Sequence, residues 1–254
     1  MQQYYSDEQI RAMLLKEKKR KRRRKRVIKR CFVLFLLLVF IVLCVVSLVR
    51  CVSDKDTRSG FFTKQSLGLI CIDPGHGGMD SGTNDNNRYE KDDNLKLALE
   101  VRSELEALGY EVKMTRAKDK DLKRSSRGKI ANEAGADLFV SLHRNQSAVG
   151  EGDGVEVWIP STNDDESRLL GENILAALEA QGFYARGVHA GTLHDATDDY
   201  LENSVPTMPS CLVEVGFTSD NGDNKLFDDN LKANAKAIAK AIADSHAKIY
   251  EKEE

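Results

Sequence analysis

From residue 67 to residue 250 the chain alternates short apolar runs with longer stretches whose apolar positions recur every three or four residues. Leu67–Ile72, Leu138–Leu142 and Cys211–Val215 are too short for helices and read as buried strands. Glu111–Thr115 reads as a further strand, and in Gly154–Ile159 the alternation of Val155, Val157 and Ile159 suits a half-buried one. Asn94–Leu108 sets Leu95, Ala98, Leu99, Arg102, Leu105 and Leu108 at helical spacing and stops at Gly109. Ser125–Ala134, Asp165–Gln181 and Asp229–Tyr250 predict three more helices, the last turning Leu231, Ala235, Ile238 and Ile242 inward. Strands alternating with helices predict an α/β domain: a mixed, mostly parallel sheet with helices on both faces, in three layers. Ligand sites in such sheets gather in the loops beyond the strand ends.

The pattern before residue 67 is different. Cys31–Val49 contains no charge, and Ser47 is its only clearly polar side chain. Nineteen residues at helical rise come close to a hydrocarbon core of about 30 Å, so the run predicts one transmembrane helix ahead of the sheet. Lys16–Arg30 holds 12 Lys and Arg and one acid. Basic residues in short loops stay in the cytoplasm, which predicts an inside N-terminus and an outward-facing domain. The apolar run is too long for a cleaved signal peptide. The expected organisation is a cytoplasmic basic tail at 1–30, an anchor at 31–49, a linker at 50–66 and a folded domain at 67–254, localised at a cell membrane with the domain outside.

Charge sharpens the contrast. Residues 1–50 hold 14 of the 38 Lys and Arg but 3 of the 40 Asp and Glu, a net of +11, which leaves the rest at −13. So acidic a domain would repel phosphates, which argues against a nucleic-acid partner. Cys31, Cys44 and Cys51 fall in or beside the predicted span, and Cys71 and Cys211 in apolar runs, which is no disulfide scaffold.

Four segments carry chemistry: Asp73-Pro74-Gly75-His76-Gly77-Gly78, Tyr89-Glu90-Lys91, Ser141-Leu142-His143-Arg144-Asn145 and Glu214-Val215-Gly216-Phe217. His76 and His143 each lie just past a predicted strand, Glu214 ends one, and Glu90 falls in the polar loop before the first helix. If those strands are neighbours, two imidazoles and two carboxylates converge on one sheet edge. Two histidines and a carboxylate are the ligand set of a catalytic zinc site. A spare carboxylate can move a proton between water and a leaving amine.

These segments, with Asn94-Leu95, Thr115-Arg116, Leu122, Arg127, Ala131-Asn132, Ala136–His143 and Leu212–Phe217, resemble the zinc-dependent N-acetylmuramoyl-L-alanine amidases often called amidase 3, through nearly all of residues 67–250. The resemblance implies an α/β sandwich about a mixed sheet, and hydrolysis of the amide joining the lactyl group of N-acetylmuramic acid to L-alanine in peptidoglycan. It carries the Zn²⁺ ligands to His76, Glu90 and His143, and the catalytic glutamate to Glu214. Asn145 is a substrate-binding or loop-orienting candidate. Two departures stand out: Arg144, where the family commonly has a small residue and where a solvent-facing side chain is expected, and Thr218-Ser219-Asp220, where it often has Ser-Asn. His189 and His194 are expected as solvated loop residues and His246 as surface-exposed, with Arg116 and Arg127 in ion pairs with acids such as Asp119 or Asp121. Two readings compete: a zinc carboxypeptidase or aminopeptidase acting on stem peptides, and a non-catalytic wall-binding module. Nothing in the sequence indicates an oligomeric state.

Overall fold

The computed structural model of the protein describes residues 66–147 and 152–250. Its elements in chain order are β1 (Leu69–Pro74), β2 (Asn84–Asp85), β3 (Arg88–Tyr89), α1 (Glu90–Leu108), β4 (Glu111–Met114), α2 (Arg124–Ala134) and β5 (Leu138–Asn145). They continue with β6 (Val155–Ile159), α3 (Asp165–Glu179), β7 (Ala185–Ala190), α4 (Leu201–Ser204), β8 (Ser210–Phe217), α5 (Asn221–Asp229) and α6 (Leu231–Tyr250). Six strands form one sheet in the order β4-β1-β5-β8-β6-β7. Every neighbouring pair is parallel except β6 with β8, so the sheet is mixed.

Strand periodicity sorts the side chains into two unlike faces. Ile70, Ile72, Leu138, Val140, Leu142, Val155, Val157, Ile159, Val213 and Val215 point into the main core, against Leu97, Val101 and Leu105 of α1, Leu170, Ile174 and Leu178 of α3, and Ile238 and Ile242 of α6. The intervening residues point the other way, where Cys71 and Phe139 form a small second core with Ala131 of α2. Beyond that small core, the second face carries polar side chains: Asp73, Ser141, His143, Glu156 and Glu214. Helices thus cover both faces, but the second only in part. Its uncovered remainder holds the chemistry.

Several expectations need correcting. The transmembrane helix predicted ahead of the sheet is not matched by any helix among the described residues, none of which is long and apolar enough to cross a membrane. The longest, α1 and α6, approach the necessary length, but Glu90, Lys91, Asp92, Asp93 and Lys96 charge the first two turns of one, and Lys232, Lys236, Lys240 and Lys248 a face of the other. Residues 31–49, the basic tail and nearly all of the expected linker lie outside the described residues.

The inward stripe of α1 is also displaced. Leu97, Ala98, Val101 and Leu105 are buried, whereas Leu108 is exposed and Leu95 and Leu99 are only partly covered. The helix begins at Glu90 rather than at residue 94. The last helix, expected over Asp229–Tyr250, is present as α6, and the short α5 just ahead of it was not expected: Asp220 caps its N-terminus through the Asp223 amide. Strand β7 was expected as loop; Ala185–Ala190 has little strand propensity of its own and is recruited by pairing with β6.

Candidate metal centre

The sequence builds the site at the carboxyl ends of three adjacent parallel strands. After β1 the chain turns sharply at Pro74-Gly75-His76-Gly77, and His76 itself adopts a left-handed φ of 58°. That conformation is uncommon outside glycine and costs free energy, and the surroundings hold it. Arg127 donates to the carbonyls of Pro74 and His76, each at 2.8 Å. Arg116 donates to those of Pro74, Gly75 and Lys91 at 2.9, 2.8 and 2.7 Å. Arg127 also pairs with buried Asp73 at 2.8 Å, and Asp73 accepts from Ser141 and Thr115 as well. Arg127 therefore makes the expected structural ion pair, but with Asp73 rather than Asp119 or Asp121, while Arg116 holds backbone carbonyls instead of an acid.

Two glycines make room for the imidazoles. A Cβ on Gly75 would stand 2.2 Å from Cε1 of His143, and one on Gly82 would stand 2.5 Å from Oε2 of Glu90 and 2.6 Å from Cδ2 of His76. Any side chain at either position would occupy the cluster itself.

Glu90 sits between the two histidines. Its Oε1 lies 2.9 Å from Nδ1 of His143 and its Oε2 3.2 Å from Nε2 of His76. The carboxylate also accepts from the amides of Thr83 and Arg144 and from Asn94. Burial works against a charge here, yet the hydrogen bonds from His143 and His76 outweigh it and hold the Glu90 carboxyl well below its usual range. Its place at the start of α1 adds the favourable end of the helix dipole. For His76, burial also opposes charge, but contacts with Glu90 and Asp80 prevail and raise its pKa. Asp80 lies 2.9 Å from Nδ1 of His76 and orients the ring.

One donor atom from each of His76, Glu90 and His143 lies within 4.8 Å of the others. Nε2 of His143 is buried with no hydrogen-bond partner. An imidazole lone pair left bare beside a carboxylate and a second imidazole fits a divalent metal, since donors about 2.0–2.1 Å from such an ion would stand roughly 3.3 Å apart. It is the only such cluster among the described residues.

Glu214 lies opposite His143 in the β5–β8 register, and Glu156 lies opposite Glu214 in the β8–β6 register. Its Oε2 is buried without a partner. Burial, reinforced by the charges of Glu90, Glu156 and Glu202, raises the Glu214 pKa well above the ordinary carboxyl value. Glu156 was not anticipated. A lone acid in an alternating strand reads as solvent-facing, and only the sheet order shows it beside Glu214.

Residues 70–245 match the family described as N-acetylmuramoyl-L-alanine amidase. The chain belongs to that family. Its reaction is the hydrolysis of the amide between N-acetylmuramic acid and L-alanine in peptidoglycan. The chain is 33% identical over 180 residues to the uncharacterized protein YqiI of Bacillus subtilis, covering 70% of this chain and 84% of YqiI. It is 35% identical over 156 residues to the N-acetylmuramoyl-L-alanine amidase LytC of the same organism, covering 61% of this chain but 30% of LytC. The catalytic domain of CwlV, an N-acetylmuramoyl-L-alanine amidase from Bacillus (Paenibacillus) polymyxa var. colistinus, superposes with a TM-score of 0.60 at 30% identity, over 72% of this chain and 98% of that one.

The amidase site leaves other expected residues elsewhere. Asn145 donates its amide to Glu156 at 2.8 Å and accepts from the Gln146 amide with its side-chain oxygen, so it braces the carboxylate beside Glu214. Arg144 does not face solvent. It is 1% exposed, pairs with Asp93 at 2.7 Å and lies 4.4 Å above the Phe227 ring, where a small residue would leave Asp93 with one cation fewer. His246 is 5% exposed rather than surface-lying, packed between Tyr110 and Tyr250 and 3.3 Å from Asp137. His189 belongs to strand β7 and stacks on Trp158. Cys71 and Cys211 are buried free thiols, as expected.

Proposed function

We propose that His76, Glu90 and His143 hold a catalytic Zn²⁺ and that Glu214 is the proton carrier of the amidase reaction. The observation that carries this reading is the bare Nε2 of His143 inside the three-residue cluster, one strand away from the bare Oε2 of Glu214. Two histidines and a carboxylate are the donor set of a catalytic zinc with a position left open. Bound there, zinc supplies Lewis-acid polarisation of the lactyl carbonyl and lowers the pKa of water toward about 7.

Glu90 and Asp80 fix the tilt of the two imidazoles, so the donors are arranged before substrate arrives. Glu214 takes a proton at its carboxylate from the attacking water and delivers it to the departing alanine nitrogen. Its raised proton affinity suits it to take the proton from water, and the departing nitrogen, more basic than a carboxylate once its bond to the carbonyl breaks, receives it. Arg116 and Arg127 keep the His76 turn in place. In this reading the folded domain acts outside the cytoplasmic membrane, where peptidoglycan lies, and Asn145 acts through Glu156 rather than on substrate.

The test is mass spectrometry of muropeptides from sacculi treated with the purified protein. Intact stem peptides with a free L-alanine N-terminus are expected. Cleavage within the stem, with L-alanine still joined to muramic acid, would instead favour a peptidase.

A further inference from the structure

The face that carries Glu214 continues past Glu156 into a hollow of about 360 Å³ lined by Glu156, Trp158, Tyr184, Arg186, His189 and Leu193. That volume is at the lower end of the range for small-ligand pockets, about 300–1,000 Å³. None of these residues belongs to the metal cluster. We propose that the hollow is a subsite for a sugar ring of the glycan strand, and this rests on the amidase reading of the neighbouring site.

Position is the first argument. Glu156 lies directly opposite Glu214, and adjacent strands run about 4.8 Å apart. The hollow therefore begins within the reach of a ring attached, through its lactyl group, to the amide that Glu214 serves.

Charge is the second. The one cation lining the hollow, Arg186, is already compensated: its Nε donates to Glu156 at 2.9 Å and its Nη1 to the Asp153 carbonyl at 3.2 Å, and its guanidinium lies 5.2 Å from the centre of the Phe217 ring. Stem peptides carry carboxylates, which call for an uncompensated cation. A neutral N-acetyl sugar calls for fixed hydrogen-bonding edges instead, and the Arg186–Glu156 pair presents them.

Surface chemistry is the third. Trp158 is held on three sides, by His189 at 4.9 Å, by Tyr200 at 5.6 Å, and through its indole N–H by Glu156 at 3.3 Å. On the rim stand Tyr184 and Leu193, 64% and 67% exposed, which expend apolar surface on water in the absence of a ligand. Aromatic faces are electron-rich and attract the C–H face of a pyranose ring.

Trp158 is the only tryptophan of the chain, so its fluorescence reports on this hollow alone. The full-length protein is titrated with a neutral tetrasaccharide of N-acetylglucosamine, and separately with a free stem pentapeptide. A saturable response to the tetrasaccharide is expected, with none to the peptide. The variant Tyr184→Ala with Leu193→Ala should raise the tetrasaccharide Kd about fivefold or more, the scale of an aromatic contact. Both residues are exposed, so the core is untouched. A response to the peptide alone, or an unchanged Kd in the variant, would overturn the proposal. The titration needs no turnover. Tetrasaccharide binding without any release of L-alanine N-termini would support the subsite and overturn the reaction assigned to Glu214.

Discussion

Glu90 and Glu214 lie on two sides of His143, one as the first residue of α1 and the other opposite it on β8. Both are carboxylates removed from water, but their surroundings differ in what they offer. Glu90 receives hydrogen bonds from two imidazoles, two backbone amides and Asn94, and stays ionised. Glu214 has an oxygen with no donor and faces three other acids, so it holds a proton more tightly. Burial pushes both the same way, so the hydrogen-bond donors decide. A carboxylate saturated with donors can serve as a fixed ligand, whereas one without them is free to move a proton.

The largest expected effect tests the second half of that contrast. Glu214→Gln should lower kcat for release of stem peptides by about 10²–10⁴-fold, the usual worth of a positioned acid–base group, while zinc per chain stays unchanged. Loss of zinc together with activity would place Glu214 among the ligands instead. Next in size, Glu90→Gln removes the acceptor of several charge-assisted hydrogen bonds and should cost the metal-free protein about 3 kcal/mol at neutral pH, read from denaturant midpoints. Gly75→Ala, which presses a methyl group into the His143 ring, should weaken metal affinity by about 10–100-fold in a competition titration.

The smallest effect is the sharpest test, because its sign reverses between the two residues. In metal-free protein the depressed Glu90 pKa contributes stability that is present above the unfolded value of about 4.3 and is lost as pH falls through the folded one. The raised Glu214 pKa contributes stability that is full below about 4.3 and is lost as pH rises. Glu214→Gln should therefore raise the melting temperature by a few degrees at pH 7, and that gain should disappear near pH 4. Equal behaviour of the two variants would dissolve the comparison.

What the sequence revealed depended on how local its physical cause was. Apolar runs ending in His143 and Glu214 announced buried strands with functional ends, and Gly75 and Gly77 announced the turn at His76. Glu90 could be set near the histidines only on the condition that the strands were neighbours, and its choice over Glu214 as the third ligand came through resemblance, because nothing in a polar stretch shows that a helix starts there. Arg144 and His246 were misplaced because their partners, Asp93 and Asp137, lie 51 and 109 residues away. Charge at a position says little about exposure when the compensating group is that remote. Glu156 was hidden for a related reason: its neighbour in space comes from a strand that pairs antiparallel from the far end of the chain. The β2–β3 hairpin was legible and missed, since Asn86-Asn87, both at positive φ, is a turn signature.

That His76, Glu90 and His143 share one divalent ion is the proposal on which these contrasts rest. Anomalous diffraction at the zinc edge from crystals grown with stoichiometric zinc tests it most directly. One peak is predicted, within about 2.0–2.2 Å of a nitrogen of His76, a nitrogen of His143 and an oxygen of Glu90. A peak elsewhere in the molecule, or none on this cluster in protein that still cleaves peptidoglycan, would contradict it.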